Sequence, residues 1–447
     1  MLDLDALPAF LQGRRWFGGK GVPIASVRPV DDLLLSPGFR VVTVEVTYRG
    51  GRAPERYLIP LVPGPRLEEA LADDGALRAL LAIIRDRRTL PTAAGSLRGE
   101  RVDGAGSPGH GSASSPGQNS ANSPGQNSAS SPLDTLGNEP SVRRLSAEQS
   151  NTSLVFGESV ILKLIRKLEP GVNPELEMGA FLARRGFRAT PALLGGLSLS
   201  GRVDATVAVA HRFVQVESDG WSYVLEAFRH STPGIFAELR QLGARIGEMH
   251  AALASDPSDL AFAPEPLRRE DLERWGRTLL LELDRTIAAA ATAVPELASR
   301  RGPLEARIQR LAKLVPSGLR IRQHGDLHLG QVLRSERQWL VFDFEGEPAR
   351  PVPERRAKSS PLKDVAGMLR SFAYAAATAG TPQHLAPARQ AFLEGWRGAA
   401  ARLVPADAAV LLESLELEKL LYELRYEVGH RPAWVRIPAR DLLALAS

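Results

Sequence analysis

The segment at residues 103–133 cannot form part of a packed core, and it therefore divides the chain. It is built almost entirely from small and polar residues and carries the heptapeptide SPGQNSA twice, at 115–121 and at 123–129. Such a segment buries too little apolar surface to offset the entropy lost on ordering, so we expect a flexible linker or inserted loop. The folded parts must then lie in residues 1–102 and after residue 133.

Composition excludes several classes of protein. Of the 447 residues, 44% are hydrophobic and 24% are charged, which is typical of a globular chain with two or three domains. The absence of cysteine excludes disulfides, thiolate metal sites and a cysteine nucleophile. The sequence lacks both the roughly 18 consecutive apolar residues of a membrane helix and the apolar region of a secretory signal. We therefore expect a cytoplasmic protein with no membrane partner.

The net charge of +5 is spread along the chain rather than gathered in one stretch. Nucleic-acid-binding proteins usually concentrate their basic residues on one face, with aromatic residues between them. The sequence therefore predicts no nucleic-acid partner.

Residues 1–102 have the pattern of a small α+β unit. Val41–Tyr48 alternates β-branched and polar residues, which predicts a half-buried strand, and Tyr57–Val62 predicts a second strand. Glu68–Arg85 has the spacing of an amphipathic helix. We interpret this region as an N-terminal cap subdomain.

Residues 134–216 predict a β-rich lobe, and residues 217–447 predict a mostly helical one. Val155–Lys167 and Ala192–Val216 each predict two strands, separated by a helix at Pro174–Arg185 with Asn173 as its N-cap. From Tyr223 onward the periodicity becomes helical, apart from a β-hairpin at Gln331–Phe344. The predicted helices are Ile235–Leu253, Leu267–Ala291, Leu304–Leu314, Lys363–Ala377, Leu385–Leu403 and Asp407–Gly429.

The hairpin carries the strongest chemical signal. Asp326 precedes its first strand, Gln331 begins that strand and Asp343 ends the second, so the open end of the hairpin should bring the three together. Phosphoryl transfer needs one carboxylate to orient and deprotonate the acceptor hydroxyl, and oxygen ligands to hold Mg²⁺. The alternative is that both aspartates only cap turns.

The pattern H-G-D-x-x-x-x-[N/Q], followed by a strand that ends in Asp, resembles the catalytic and metal loops of aminoglycoside-phosphotransferase-like kinases. Several longer segments resemble the bacterial maltokinases. These segments are RRWFGGK at 14–20, SAEQSNTSLVF at 146–156, HGDLHLGQVLR at 324–334, DFEGEP at 343–348, the stretch 353–376 and YEVGHRPAW at 426–434. The resemblance implies an α+β, bilobal protein-kinase-like fold with an N-terminal cap, and it implies ATP and Mg²⁺ as cofactors.

The same resemblance implies roles for individual residues. Asp326 falls on the catalytic base, Asp343 on the principal metal ligand, and Gln331 replaces the usual metal-binding asparagine. Glu345 is a further candidate metal ligand. Glu345 and Glu347 could instead pair with Arg355 or Arg356, and the sequence leaves this open.

On the nucleotide side, Lys163 should reach the α- and β-phosphates of ATP. Its predicted helix partner is Glu177, with Glu175 as the competitor, although a mid-strand lysine could also lie at a sheet edge. The other predicted nucleotide-binding residues are Ser150, Asn151, Thr152 and Ser153 in a phosphate loop, and Phe213 and Val214 in the adenine-contacting connector.

The acceptor site should lie between the HGDLHLGQ loop and the C-terminal helices. Sugars bind to carboxylates and amides through their hydroxyls, and to aromatic faces through their C–H groups. The predicted substrate residues are His328, Tyr426, Glu427, His430 and Trp434. An amphipathic helix that only packs on the lobe would explain the last four equally well. His250 is interpreted as a hydrogen-bonded core histidine.

The resemblance to the maltokinases implies an ATP- and Mg²⁺-dependent kinase that converts maltose to maltose 1-phosphate for glycogen and α-glucan synthesis. A kinase for another sugar, such as glucosamine, on the same scaffold is the first alternative. A nucleotide-binding pseudokinase is the second. A monomeric state and an association with trehalose synthase belong to the same resemblance, and the sequence leaves both open.

Overall fold

The computed structural model describes residues 3–62, 67–102, 131–145, 150–348 and 350–446. The chain divides into two compact units, Met1–Val214 and Gln215–Ser447. The segment predicted to be a linker lies outside the described residues from 103 to 130. In the part of the chain that the structure describes, no helix is both long and apolar enough to cross a membrane.

The first unit is rich in β-structure. Its strands are β1 (Ile24–Ser36), β2 (Phe39–Tyr48), β3 (Glu55–Leu61), β4 (Thr89–Pro91), β5 (Gly95–Arg101), β6 (Val142–Arg144), β7 (Asn151–Phe156), β8 (Val160–Ile165), β9 (Lys167–Leu168), β10 (Leu193–Gly201) and β11 (Ala205–Arg212). Its helices are α1 (Leu7–Gln12), α2 (Asp74–Arg85), α3 (Pro132–Thr135) and α4 (Pro174–Arg184).

Two antiparallel sheets in this unit exchange strands across the predicted boundary at residue 102. One sheet has the order β1-β2-β3-β9 and the other the order β4-β5-β10-β11-β8-β7-β6. Strands β4 and β5 therefore come from the predicted cap but complete the sheet of the predicted lobe, whereas β9 extends the cap sheet. The cap and the lobe share their sheets and are not separated at residue 102.

Strand β2 is buried on both faces over much of its length, not on one face as predicted. Val42, Val44 and Val46 pack with the N-terminal segment in one core, while Phe39 and Val41 pack in another core with α2 and the second sheet. This arrangement follows from the two-residue side-chain period of a strand. Helix α2 begins at Asp74, capped by the Asp73 side chain, whereas the predicted helix began at Glu68.

The second unit is mostly helical. Its helices are α5 (Gly220–Arg229), α6 (Ile235–Leu253), α7 (Arg269–Ala290), α8 (Arg301–Gln309), α9 (Val352–Arg355), α10 (Leu362–Ala379), α11 (Leu385–Ala399), α12 (Ala408–His430) and α13 (Arg436–Leu445). Its short strands are β12 (Ser218–Asp219), β13 (Glu265–Pro266), β14 (Leu319–Arg320), β15 (Val332–Ser335) and β16 (Gln338–Val341). A β-rich first unit and a helical second unit confirm the predicted α+β class.

The hairpin β15–β16 has its register fixed by a two-residue turn. Glu336 and Arg337 both have positive φ, 47° and 59°, as a type I′ turn requires. Val332 then pairs with Val341, and the backbone N–H of Phe342 donates to the Gln331 carbonyl. This register places Gln331 and Asp343 side by side just beyond the open end of the hairpin.

Helices α6 and α11 approach closely because glycines face each other. A Cβ added at Gly243 would lie 2.0 Å from the Phe392 carbonyl oxygen, and one at Gly395 would lie 1.9 Å from the Arg240 carbonyl oxygen. Any side chain at these positions would force the two helices apart. The contact brings His250 on α6 next to Trp396 on α11.

Arg166 ties the two sheets of the first unit together. Its side chain is fully buried, and one guanidinium nitrogen lies 2.9 Å from a carboxylate oxygen of Glu69. It also donates to the Thr152 hydroxyl, and its guanidinium lies 5.0 Å from the Trp16 ring centroid. A buried arginine is tolerated only when its charge and donors are satisfied in this way.

We expect Arg166→Met to lower the free energy of unfolding by about 3–5 kcal/mol, because it removes one partner of a buried ion pair. Thermal unfolding measures the change. The double variant Arg166→Met, Glu69→Gln should recover part of it. Arg143→Met, which breaks the exposed pair with Glu158, should change stability by about 1 kcal/mol or less. Equal effects of the two arginine substitutions would contradict this interpretation.

Candidate active site

The loop HGDLHLGQ is held by a buried carboxylate. Asp364 near the start of α10 is 1% exposed. Its two oxygens accept from the backbone N–H groups of His324 and Gly325, at 2.8 and 2.9 Å. Gly325 has a φ of +87°, a conformation that glycine adopts without strain. The backbone just before Asp326 is therefore fixed from the helical side of the unit.

Asp364 is in turn held by His250. The Trp396 indole N–H donates to Nδ1 of His250, so the His250 proton lies on Nε2 and points to Asp364, 3.0 Å away. Burial acts to raise the pKa of the Asp364 carboxyl, but the interactions with His250, His324 and the Gly325 N–H together hold it below its ordinary value. The interpretation of His250 as a hydrogen-bonded core histidine is confirmed.

Asp326 contacts a lysine from a distant helix. Lys419 on α12 places its Nζ 3.4 Å from Oδ1 of Asp326. His324 is oriented separately, because its Nε2 lies 2.9 Å from the carbonyl oxygen of Phe342 and its ring packs against Phe344. The loop therefore has its backbone, its histidine and its aspartate held by different groups.

Gln331, Asp343 and Glu345 form an oxygen-rich group. The Gln331 amide N–H donates to Oδ2 of Asp343 over 3.0 Å, which leaves the Gln331 carbonyl oxygen as a possible metal ligand. Asp343 lies beyond the end of β16 rather than within it, with a φ of +65° that aspartate tolerates better than most residues. One carboxylate oxygen of Asp343 and one of Glu345 lie within 4.8 Å of each other. These hard oxygen donors fit Mg²⁺.

Glu347 makes an ion pair that the sequence did not predict. Glu347 pairs with Arg350, at 2.7 Å. Arg355 donates to the backbone carbonyl of Glu345 over 3.1 Å. Arg355 thus braces the turn after Asp343 through the main chain.

His328 begins the short turn that leads into β15. Its Nδ1 accepts from the backbone N–H of Gly330 over 2.9 Å, so a proton on this ring belongs on Nε2. Burial lowers the pKa of His328, although the charges of Asp326 and Asp343 act in the opposite direction. A neutral imidazole with a fixed tautomer can donate one hydrogen bond to a ligand.

A cavity of about 650 Å³ opens beside Asp326 within the second unit. This size is within the range of small-ligand sites. Aromatic side chains form much of its wall, namely Trp221, Tyr374, Tyr422, Tyr426 and Trp434. The charged and polar residues in the wall include Asp326, His328, Lys419, Glu423, Glu427 and Arg431.

Four of the five predicted substrate residues lie in this wall, namely His328, Tyr426, Glu427 and Trp434. His430 does not line the cavity. It stacks on the Tyr426 ring at 4.6 Å, and its Nδ1 lies 3.0 Å from the Tyr426 carbonyl oxygen. His430 is therefore placed as a support for Tyr426.

The cavity carboxylates are engaged by neighbouring groups. Glu423 accepts from Arg370 over 3.0 Å, and Glu427 accepts from Arg431 over 2.7 Å and from the Tyr374 hydroxyl over 3.1 Å. Burial raises the pKa of Glu423 above its ordinary value, although Arg370 acts to lower it.

Sequence reasoning missed Trp221, Tyr374 and Arg431. Tyr374 stacks on Trp434 at 5.9 Å, and Trp221 lies 6.3 Å from the same indole. Tyr374 falls within the maltokinase-like stretch 353–376, which was a usable signal. Trp221 lies on α5, a helix that the sequence did not predict.

In the first unit, Lys163 pairs with Glu175, which corrects the choice of Glu177. Lys163 lies on β8, between β7 and β11 and away from a sheet edge, with its Nζ 3.1 Å from a Glu175 oxygen. Nδ1 of His211 lies 3.7 Å from the other Glu175 oxygen. Residues two apart on a helix point in nearly opposite directions, and it is Glu175 that lies on the buried face of α4.

The predicted phosphate loop is largely a strand. Asn151, Thr152 and Ser153 belong to β7, and Ser153 is 1% exposed. The placement of Asn151, Thr152 and Ser153 in a loop was therefore wrong. The Thr152 hydroxyl accepts from Arg166 over 3.0 Å. Ser150 is exposed just before the strand, and residues 146–149 lie outside the described chain.

Phe213 and Val214, the connector predicted to contact adenine, come just after β11. The backbone N–H of Phe213 donates to the Ser159 carbonyl over 2.9 Å. Val214 is the last residue of the first unit.

A β-rich first unit, a helical second unit and the HGDLHLGQ loop together define a kinase-like phosphotransferase. The chain belongs to the phosphotransferase enzyme family, whose model matches residues 141–401. Residues 10–89 match the maltokinase N-terminal cap domain. The predicted superfamily and the protein-kinase-like fold with an added cap are both confirmed.

Two similar proteins and a similar solved structure are glucosamine kinases. The enzyme of Streptacidiphilus jiangxiensis is 30% identical over 427 residues, covering 88% of this chain and 94% of that one. The enzyme of Mycolicibacterium smegmatis is 29% identical over 327 residues, covering 68% and 79%. A solved glucosamine kinase in complex with glucosamine, ADP and inorganic phosphate is 25% identical, with a TM-score of 0.69 over 96% of each chain.

We expect Asp343→Asn to lower kcat by on the order of 10³-fold or more, because it removes the main carboxylate ligand of Mg²⁺. Asparagine adopts positive φ readily, so the turn should keep its shape. Steady-state kinetics over a range of Mg²⁺ concentrations measures the effect. Asp284→Asn, at an exposed ion pair with Arg301, is the matched control. An unchanged kcat at saturating Mg²⁺ would remove Asp343 from the metal site.

Proposed function

We propose that this phosphotransferase is an ATP- and Mg²⁺-dependent sugar kinase whose acceptor is maltose, with maltose 1-phosphate as the product. The observation that carries the proposal is the position of Asp326 in the wall of an aromatic-lined cavity of about 650 Å³. The glucosamine kinase that binds ADP and phosphate supports the use of ATP. The supply of product to glycogen synthesis, a monomeric state and an association with trehalose synthase remain expectations from the sequence.

Residues of each unit carry a proposed role toward the nucleotide or its metal ion. Lys163, oriented by Glu175, would bind the α- and β-phosphates. Asp343, Gln331 and Glu345 would hold Mg²⁺, which neutralises charge on the phosphate oxygens when bound. Ser150, Phe213 and Val214 remain proposed contacts to the phosphates and to adenine.

Asp326 would act on the acceptor hydroxyl. Its carboxylate accepts the hydroxyl proton, the hydroxyl oxygen forms a bond to the γ-phosphorus, and the bond to the β-phosphate oxygen breaks with its electron pair leaving on ADP. The neutral His328, with its proton on Nε2, would donate a hydrogen bond to a second sugar hydroxyl. Tyr426 and Trp434 would contact the sugar rings, and Glu427 would accept from a hydroxyl.

The wall of the cavity favours a neutral disaccharide over an amino sugar. An ammonium group needs a carboxylate that has no competing cation. Here Glu427 pairs with Arg431, and Asp326 pairs with Lys419, so both cations would repel an ammonium group. Neutral hydroxyls can share these charged groups without displacing either partner.

Glucosamine is the second candidate, because two similar proteins are glucosamine kinases. Glu423 is the carboxylate that could serve it. Its cation, Arg370, is shared with Asp441 at 2.6 Å, and Asp441 also pairs with Arg440 at 2.8 Å. Because Asp441 draws on Arg370, an ammonium group beside Glu423 would compete with a shared cation.

A panel of sugars with ATP decides between the two candidates. We expect kcat/KM for maltose to exceed that for glucosamine by at least about tenfold, with ³¹P and ¹H NMR locating the phosphate at the anomeric carbon. Glucose and trehalose test whether a second ring and a free anomeric hydroxyl are required. A preference for glucosamine would assign the second function. ATP binding without phosphorylation of any sugar would indicate a pseudokinase.

We expect Asp326→Asn to lower kcat by about 10²–10⁴-fold, the usual contribution of a general base. An amide keeps the size of the side chain but cannot take the proton. The KM for ATP should change little, because the proposal assigns ATP to other residues. A large rise in the KM for ATP with kcat preserved would instead make Asp326 a metal ligand.

A further inference from the structure

Lys419 reaches Asp326 from a part of the chain 93 residues away. It lies on α12, and its Nζ is 3.4 Å from Oδ1 of Asp326 and 5.4 Å from the Tyr422 ring centroid. The side chain of Lys419 is 29% exposed and that of Asp326 is 24% exposed. Within the described parts of the chain, the Lys419 ammonium is the side-chain group that donates a hydrogen bond to the Asp326 carboxylate.

The contact is not needed to hold either element in place. Helix α12 is anchored by buried leucines, including Leu417, Leu420 and Leu421. The loop backbone is anchored by Asp364, through two N–H groups. A partly exposed ion pair adds only about 0–1 kcal/mol to stability. The consequence of the contact must therefore be sought in the Asp326 carboxylate itself.

Asp326 borders two cavities, and so does Lys419. The first is the aromatic-lined cavity, and the second, of about 630 Å³, lies between α7, α10 and α12. A short carboxylate side chain with space on two sides has more than one rotamer available. A fixed donor that reaches one oxygen restricts its rotation and leaves the other oxygen for the acceptor hydroxyl.

The lysine is suited to this task because it keeps its charge. Burial acts to lower the pKa of the Lys419 ammonium, but the carboxylates of Asp326, Glu423 and Glu347 raise it above its ordinary value.

We infer that Lys419 is a positioning residue, which orients the Asp326 carboxylate toward the acceptor hydroxyl. The inference rests on the proposed role of Asp326 as the base. It makes α12, and not the HGDLHLGQ loop alone, part of the machinery for proton transfer.

A double-mutant cycle tests the inference. We expect Lys419→Met to lower kcat by about 10–10²-fold, the usual effect of misplacing a reacting group, with the KM values for ATP and sugar changed less than about threefold. Because Lys419 acts through Asp326, the same substitution in an Asp326→Asn background should cost less than about threefold. Lys419→Arg should restore much of the rate.

Lys363→Met is the matched control. Lys363 has the same side-chain exposure, 29%, and pairs with Glu418 at 3.2 Å in the wall of the second cavity. We expect it to leave kcat within about twofold. Thermal unfolding checks each variant, and Lys419→Gln replaces Lys419→Met if the latter does not fold.

The outcomes separate this inference from the proposed function. If the wild-type protein phosphorylates no sugar, the proposed function fails, and the inference fails with it. If wild type is active and Asp326→Asn is slow, but Lys419→Met is fully active or costs the same in both backgrounds, only the inference is overturned. A rise in the KM for sugar with unchanged kcat would make Lys419 a binding group and would also overturn it.

Discussion

The candidate site in the second unit depends on the buried carboxylate of Asp364, which holds the backbone of the HGDLHLGQ loop. A carboxylate that is 1% exposed is costly unless its oxygens are satisfied. Here two backbone N–H groups and the Nε2–H of His250 satisfy it, and Trp396 selects the tautomer that allows this. The close glycine contact of α6 and α11 brings His250 and Trp396 together. Helix packing far from Asp326 thus sets the backbone that carries it.

The first unit depends in a similar way on Arg166. Its guanidinium joins Glu69, from the cap, to Thr152, from the neighbouring sheet. The strands cross the same boundary, because β5 pairs with β10 and β9 pairs with β3. The cap shares strands and a buried charge with the sheet of Lys163, so it does not pack as a separate body. It is part of the structure that holds the Lys163–Glu175 pair.

Elements with strong local signals could be predicted from the sequence. Helix α6 was predicted with its observed bounds, Ile235–Leu253, and Asn173 caps α4 as expected through a bond to the Glu175 N–H. The approach of Gln331 to Asp343 also followed from the sequence, because a hairpin joins its two ends. These features depend on neighbours a few residues away.

The features that were missed depend on distant partners. Strand β5 contains polar residues and two glycines, and it is a strand because it pairs with β4 and β10. A Cβ at Gly99 would lie 2.0 Å from the Ile83 carbonyl oxygen, so tertiary packing dictates that residue. The choice of Glu175 over Glu177 likewise depends on how α4 packs on the sheet. The periodicity of the sequence does not show how a helix is rotated about its axis against the sheet.

The candidate site shows why residue types alone did not decide the sugar. Glu427, Trp434 and Tyr426 were recognised as sugar-binding types, and a carboxylate among aromatic rings suits many sugars. The discriminating property is the partner of each charge. Arg431 engages Glu427, and the Arg370 that engages Glu423 is shared with a second acid, Asp441. Under the proposed function, specificity between a neutral sugar and an amino sugar would depend on how these charges are paired, which only the three-dimensional arrangement defines.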